Sequence, residues 1–143
     1  MEKIMDIDLL KQLAKDITLL YVEDDEDLRN SVIRYLSKIF PNLSVAENGQ
    51  EGLDLYRKNQ YDIVVSDIEM PFMNGIEMAK EIKVINPSQE IIIISGYGEI
   101  SYFINSISIG ISGYIMKPID YLKMNQKLYE SSLNVNTRKE NIE

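Results

Sequence analysis

Cysteine and histidine are both absent from this chain of 143 residues. Without cysteine there are no disulfides, no zinc–thiolate sites and no thiol nucleophile. Without histidine the usual general base and the commonest metal ligand are gone, and so is any phosphohistidine intermediate. A Ser-His-Asp triad is impossible, and the chain by itself is neither a histidine kinase nor a histidine phosphotransfer module. Positive charge is scarce as well: 15 Lys and Arg stand against 23 Asp and Glu, for a net charge of −8. That balance argues against direct nucleic acid binding, and no basic run is longer than a pair such as Arg138-Lys139. No apolar stretch approaches the roughly 20 residues needed to span a bilayer, so no membrane insertion is expected. Residues 1–16 have no long apolar centre and do not read as a secretory signal, which makes the expected compartment cytoplasmic.

What remains is ordinary for a globular protein, with 45% apolar and 27% charged residues. The length suits one domain with its own core. Leu9, Leu10, Leu13, Ala14 and Ile17 recur at helical spacing, so residues 1–16 form an N-terminal amphipathic helical extension, with the helix over 8–16. Ile17–Val22, Leu43–Ala46, Ile63–Ser66, Ile91–Ile94 and Ser112–Met116 are short apolar runs that read as strands. Between and after them, 25–40, 50–59, 76–85, 99–109 and 119–133 carry helical patterns. Pro41 and Asn86-Pro87 mark two helix ends. Residues 134–143 are polar and read as a tail or the start of a linker. Five strand–helix alternations predict an α/β domain with a parallel sheet covered by helices on both faces.

Such sheets bind ligands beyond the carboxyl ends of their strands. The polar residues of this chain cluster at those ends. Glu23-Asp24-Asp25 follows the first run, Asp67 the third and Ser95 the fourth, while Tyr114 lies within the last run and Lys117-Pro118 follows it. Several carboxylates in one small volume repel each other unless a cation or a bound proton relieves them. An all-oxygen ligand set favours a hard ion such as Mg²⁺. Phosphoryl chemistry on an aspartate is the activity this constellation suggests, and it needs no histidine, because an ionised carboxylate is already a nucleophile.

Four sequence blocks, with Lys117-Pro118 closing the last, resemble response-regulator receiver domains in the right order and spacing. They are Leu-Tyr-Val-Glu-Asp-Asp-Glu-Asp-Leu-Arg at 20–29, Val-Val-Ser-Asp-Ile-Glu-Met-Pro-Phe-Met-Asn-Gly at 64–75, Ile-Ile-Ser-Gly at 93–96 and Gly-Tyr-Ile-Met-Lys-Pro at 113–118. The resemblance covers 17–133. It implies a flavodoxin-like (βα)5 three-layer sandwich with strand order 2-1-3-4-5. It implies that Asp67 accepts a phosphoryl group from the phosphohistidine of a partner histidine kinase or phosphotransfer protein. Glu23, Asp24, Asp67 and the backbone carbonyl of Glu69 would hold Mg²⁺. Ser95 and Lys117 would bind phosphate oxygens, Ser95 and Tyr114 would act as the switch, and the Lys117–Pro118 peptide would be cis. Glu69 and Tyr97 would flank the site and tune access of water. Asp25, left over from the acidic triplet, would start the following helix.

Two positions depart from the family pattern. Gly96 stands where alanine is common and Ile119 where phenylalanine is frequent. The face formed by 99–133 is the expected readout surface, engaged by a downstream protein, a fused output domain or a second copy of the chain. No turnover of an external substrate is expected. Three alternatives stay beside this reading: an aspartate-nucleophile phosphatase built on Asp67 and Glu69, a flavin carrier, and a degenerate receiver used only for protein contacts. The phosphatase class places its nucleophile on the first strand and carries a cap insertion. A flavin phosphate would be repelled by Glu23-Asp24-Asp25. The sequence leaves open whether the receiver stands alone or is cut from a longer protein.

Overall fold

The computed structural model describes residues 6–96 and 100–141. The elements run α1 (Ile7–Ala14), β1 (Thr18–Val22), α2 (Glu26–Leu36), β2 (Asn42–Ala46), α3 (Gly49–Asn59), β3 (Ile63–Asp67), α4 (Gly75–Ile85), β4 (Glu90–Ser95), α5 (Ile100–Ile109), β5 (Gly113–Met116) and α6 (Tyr121–Glu140). The five strands form one sheet in the order β2-β1-β3-β4-β5, and every neighbouring pair is parallel. This is the expected flavodoxin-like order.

Alternate residues of each strand face opposite sides, and each side has its own core. Leu19, Tyr21, Ile63, Val65, Ile92, Ile94 and Ile115 pack against α1, α2 and α6 through Leu10, Val32, Leu36, Met124 and Leu128. Leu20, Val22, Val64, Ile91 and Ile93 pack on the other side against Leu53 and Tyr56 of α3 and Met78, Ala79 and Ile82 of α4. Strands buried on both faces need apolar residues at every position, which is why they read as continuous runs.

Helix starts are set locally. Asp25, Asn48, Asn74 and Asp120 cap α2, α3, α4 and α6 by accepting hydrogen bonds from first-turn amides. Each cap follows soon after a strand. Four helix N-termini, the positive ends of their dipoles, are thereby brought to the carboxyl edge of the sheet.

Most boundaries shift by a residue or two from the sequence reading, and three of the differences have a clear cause. The helix expected through Phe40 ends at Leu36 with Ser37 as its cap, and the chain then turns through Phe40, whose amide donates to the Leu36 carbonyl at 2.8 Å. β4 begins at Glu90, a buried charge that the sequence does not mark as strand. The polar tail expected over 134–143 is helical through Glu140, because its side chains find partners on the sheet. Asn134 and Arg138 donate to Glu90 at 3.2 and 2.7 Å, and Lys139 donates to Asp62 at 3.2 Å. Of the residues expected on the inner face of α1, Leu10, Ala14 and Ile17 are buried, while Leu9 is exposed. Among the described residues no helix is long and apolar enough to cross a membrane.

Candidate functional site

The register sets the site. Val22 of β1 lies opposite Ser66 of β3, Asp67 opposite Ile94 of β4, and Ser95 opposite Met116 of β5. The residues after those strand ends therefore meet in one row. Carboxylate oxygens of Glu23, Asp24 and Asp67 lie within 4.8 Å of one another. Glu23 and Asp67 are buried, at 1% and 5% exposure, whereas Asp24 is exposed. Lys117 reaches back from the end of β5 and places its Nζ 3.3 Å from Asp67 Oδ1 and 3.4 Å from Glu23 Oε1.

Both contacts are longer than a well-formed ammonium–carboxylate hydrogen bond. Among the described residues, buried Glu23 Oε1 accepts no hydrogen bond, and its other oxygen accepts only a 3.2 Å bond from the Asp25 amide. Two buried carboxylates thus share one ammonium, with a third, Asp24, beside them. Burial, and then the charge of Asp67, push the Glu23 carboxyl up to about 7. Burial also raises Asp67, against the pull of Lys117. For Lys117 burial acts against the charge, but Asp67 and Glu23 outweigh it and hold the ammonium above its ordinary range. Excess buried carboxylate with an oxygen left unbonded is a good match for a divalent oxygen-seeking cation.

Backbone contacts hold these groups in place. Arg29, one turn into α2, donates to the carbonyls of Glu23 at 3.0 Å and Asp24 at 3.3 Å and braces the loop after β1. Asp25 points away and caps α2 by accepting from the Leu28 amide at 3.1 Å. A Cβ on Gly75 would lie 2.0 Å from the Asp67 carbonyl oxygen, so only glycine fits where α4 starts. The Lys117 amide donates to the Ser95 carbonyl at 2.7 Å, tying the ends of β4 and β5 together. The Lys117–Pro118 peptide is cis, as the resemblance implied.

Ser95 is buried at the end of β4. The Tyr114 hydroxyl is buried without a hydrogen bond among the described residues, and its ring meets Phe103 edge-on at 5.3 Å. Glu69 is exposed beside the site. Tyr97 lies outside the described residues. A Cβ at Gly96 would make ordinary contact with the Lys117 side chain at 3.5 Å, so packing does not require glycine there. Ile119 packs, partly buried, against the core shared with α2 and α6.

Sequence reasoning missed two contributors. Arg29 could have been found as a cation one turn beyond an acidic loop. Tyr21 could not: it is a fully buried phenol of β1, two residues before Glu23, with no hydrogen bond among the described residues, and burial followed by the nearby charges of Glu23 and Asp67 raises its pKa.

A doubly wound sheet with acids and one lysine at its carboxyl edge defines the class of protein. The sequence matches the response regulator receiver domain over residues 19–129, and the chain belongs to that family. It is 35% identical over 106 residues to the chemotaxis protein CheY of Halobacterium salinarum, covering 74% of this chain and 87% of that protein. It is 31% identical over 118 residues to the transcriptional regulatory protein ZraR of Klebsiella oxytoca, covering 82% of this chain but only 27% of ZraR. The chain therefore spans about a quarter of the length of that relative. The structure superposes on the CheX–CheY–BeF3–Mg²⁺ complex of Borrelia burgdorferi with a TM-score of 0.72 and 26% identity, covering 81% of this chain and 89% of that one. The family is one of signalling switches in two-component systems, not of turnover enzymes.

Proposed function

We propose that this chain is a phosphorylation-controlled switch in which Asp67 accepts a phosphoryl group from a partner phosphohistidine. The observation that carries the reading is the pairing of Lys117 with both Asp67 and Glu23, at 3.3 and 3.4 Å, among three carboxylates. An Asp67 oxygen attacks phosphorus, the phosphorus–nitrogen bond of the donor breaks, and the imidazole leaves with its electron pair and takes a proton from solvent. The Lys117 ammonium faces the charge that gathers on the phosphoryl oxygens. Glu23, Asp24, Asp67 and the Glu69 carbonyl would hold Mg²⁺, which would supply further charge neutralisation there. The Mg²⁺ named in the related CheY complex supports the choice of ion.

Ser95 would bind a phosphate oxygen, and Tyr114 would follow its movement. The output would leave through α5, β5 and the start of α6, where Phe103, Ile104, Ile107, Met116 and Leu122 are exposed. A downstream protein, a fused output domain or a second copy of the chain would bind there. The receiver unit is assigned to 17–133, with α1 as an extension, in a cytoplasmic two-component pathway. Asp67 ends the third strand, and only the short loop 68–74 precedes α4, so no cap for a phosphatase substrate lies there.

The test is intact mass after incubation with acetyl phosphate and Mg²⁺, a direct readout for a chain that has no tryptophan to report by fluorescence. One added phosphoryl group is expected, absent from Asp67→Asn and from a chelated sample. A folded, Mg²⁺-binding chain that takes up neither phosphoryl nor beryllofluoride would overturn the reading.

A further inference from the structure

The loop between Asp67 and α4 carries a residue that neither the fold nor the phosphoacceptor chemistry accounts for. Phe72 is 88% exposed, and its φ of 70° lies in the left-handed region, which strains a bulky side chain. The other described non-glycine residue there, Gln60, ends α3, where such a conformation closes a helix. Phe72 closes no helix. It sits in the apolar run Met70-Pro71-Phe72-Met73, whose outer members are partly buried.

The loop is braced. The Gly75 amide donates to the Ile68 carbonyl at 2.8 Å, and the Met73 amide to the Pro71 carbonyl at 2.8 Å. A Cβ on Gly49 would lie 2.0 Å from the Met73 carbonyl oxygen, so the loop rests directly on the start of α3. The backbone thus presents an aromatic ring to solvent from a fixed support, with its base one residue beyond Asp67. Exposed aromatics on rigid supports are the usual anchors of protein interfaces.

The surroundings indicate what covers it. Asp67 is almost wholly recessed, so a large donor must press close to deliver its phosphoryl group. The loop after β1 exposes Asp24 and Asp25, and α2 opens with exposed Glu26 and Asp27; all four repel an anionic donor. Arg29 is already engaged with the Glu23 and Asp24 carbonyls. Among the described residues after β1 and β3, the apolar lip at 70–73 is the part of this rim that attracts a protein surface.

We propose that Phe72 is the anchor by which a protein phosphodonor, carrying an apolar recess beside its phosphohistidine, docks over Asp67. This rests on Asp67 being the phosphoacceptor. Small donors need no such docking and bypass Phe72.

The test compares Asp67 labelling in the native chain, Phe72→Ala, Phe72→Gly and Phe72→Leu with two kinds of donor. One is acetyl phosphate. The other is the autophosphorylated histidine-kinase cytoplasmic domain, from a purified panel, that labels the native chain fastest. With the kinase the second-order rate constant falls about tenfold or more in Phe72→Ala and Phe72→Gly, and Phe72→Leu recovers part of the loss. With acetyl phosphate all four chains react within about twofold of one another. Phe72→Gly relieves the left-handed backbone, so a folding defect cannot imitate the result. Equal losses with both donors, or no loss with the kinase, would overturn the proposal. A native chain labelled by acetyl phosphate but by no kinase in the panel would overturn it too. If acetyl phosphate also leaves native Asp67 unlabelled, it is the phosphoacceptor reading that has failed.

Discussion

The two edges of the sheet bury acids in opposite ways. At the carboxyl edge Glu23 and Asp67 share Lys117 with Asp24 beside them, and a buried oxygen of Glu23 accepts no hydrogen bond from the described residues. At the amino edge Glu90, at 3% exposure, accepts from Asn134 at 3.2 Å and Arg138 at 2.7 Å. Asp62 beside it accepts from the Thr18 amide, the Thr18 hydroxyl and Lys139. Gln89 completes that edge by donating to the Asp62 and Glu90 carbonyls and accepting from Tyr56. A buried charge is tolerable when fully paired and costly when not. The amino edge therefore holds the fold together, and the carboxyl edge keeps an imbalance that a ligand can relieve.

The largest expected effect lies in the backbone of the carboxyl edge. Gly75→Ala forces a Cβ against the Asp67 carbonyl and should cost about 3 kcal/mol in urea unfolding, with loss of labelling at Asp67. Comparable damage from alanine at Gly96, where a Cβ fits, would break the distinction between the two glycines.

Next comes the paired edge. Glu90→Ala should lower unfolding free energy by about 2 kcal/mol, a value discounted because Arg138 is partly exposed. Burial pushes the Glu90 carboxyl up, but the bonds from Arg138 and Asn134 outweigh it and hold it below the ordinary glutamate range. A depressed carboxyl contributes stability that is fully present above the unfolded value, about 4.3, and is lost as pH falls from there through the folded value. The gap between native chain and Glu90→Gln should therefore close in that acid window.

The unbalanced edge should respond with the opposite sign. In chelator, Asp67→Asn removes one of the crowded carboxylates and should stabilise the chain by about 1 kcal/mol. Mg²⁺ should raise the melting temperature of the native chain and have much less effect on Glu23→Gln or Asp24→Asn, since only a folded site gathers the ligands. If Asp67→Asn destabilises as Glu90→Ala does, the contrast between the edges fails. The smallest effect is at Phe72. Relief of its left-handed backbone in Phe72→Gly should raise stability by about half a kcal/mol, net of the extra freedom of glycine in the unfolded chain.

Much of this was legible in the sequence. Strands buried on both faces announce themselves as short apolar runs, and the acids, Ser95 and Lys117 at their ends could be placed before any coordinates. Glu23, Asp24, Asp67 and Lys117 do converge. The start of β4 and the last turns of α6 were not legible, because each hides a polar residue whose partner is distant in the chain. Glu90 and Arg138 are 48 positions apart, and Asp62 and Lys139 are 77. Read alone, each looks like solvated surface. Phe72 is the converse case: an apolar residue in a loop, whose left-handed backbone and near-complete exposure no local pattern announces.

The sequence by itself determined the alternation of strands and helices, the parallel sheet that alternation demands, and the chemistry available at its carboxyl edge. These depend on local pattern and on residue type, which the chain carries without folding. Only the tertiary structure decided which buried acids are paired and which are left in excess, and which apolar side chain is held out to solvent. Those outcomes depend on distances between residues far apart in the chain, and nothing in a local window encodes them.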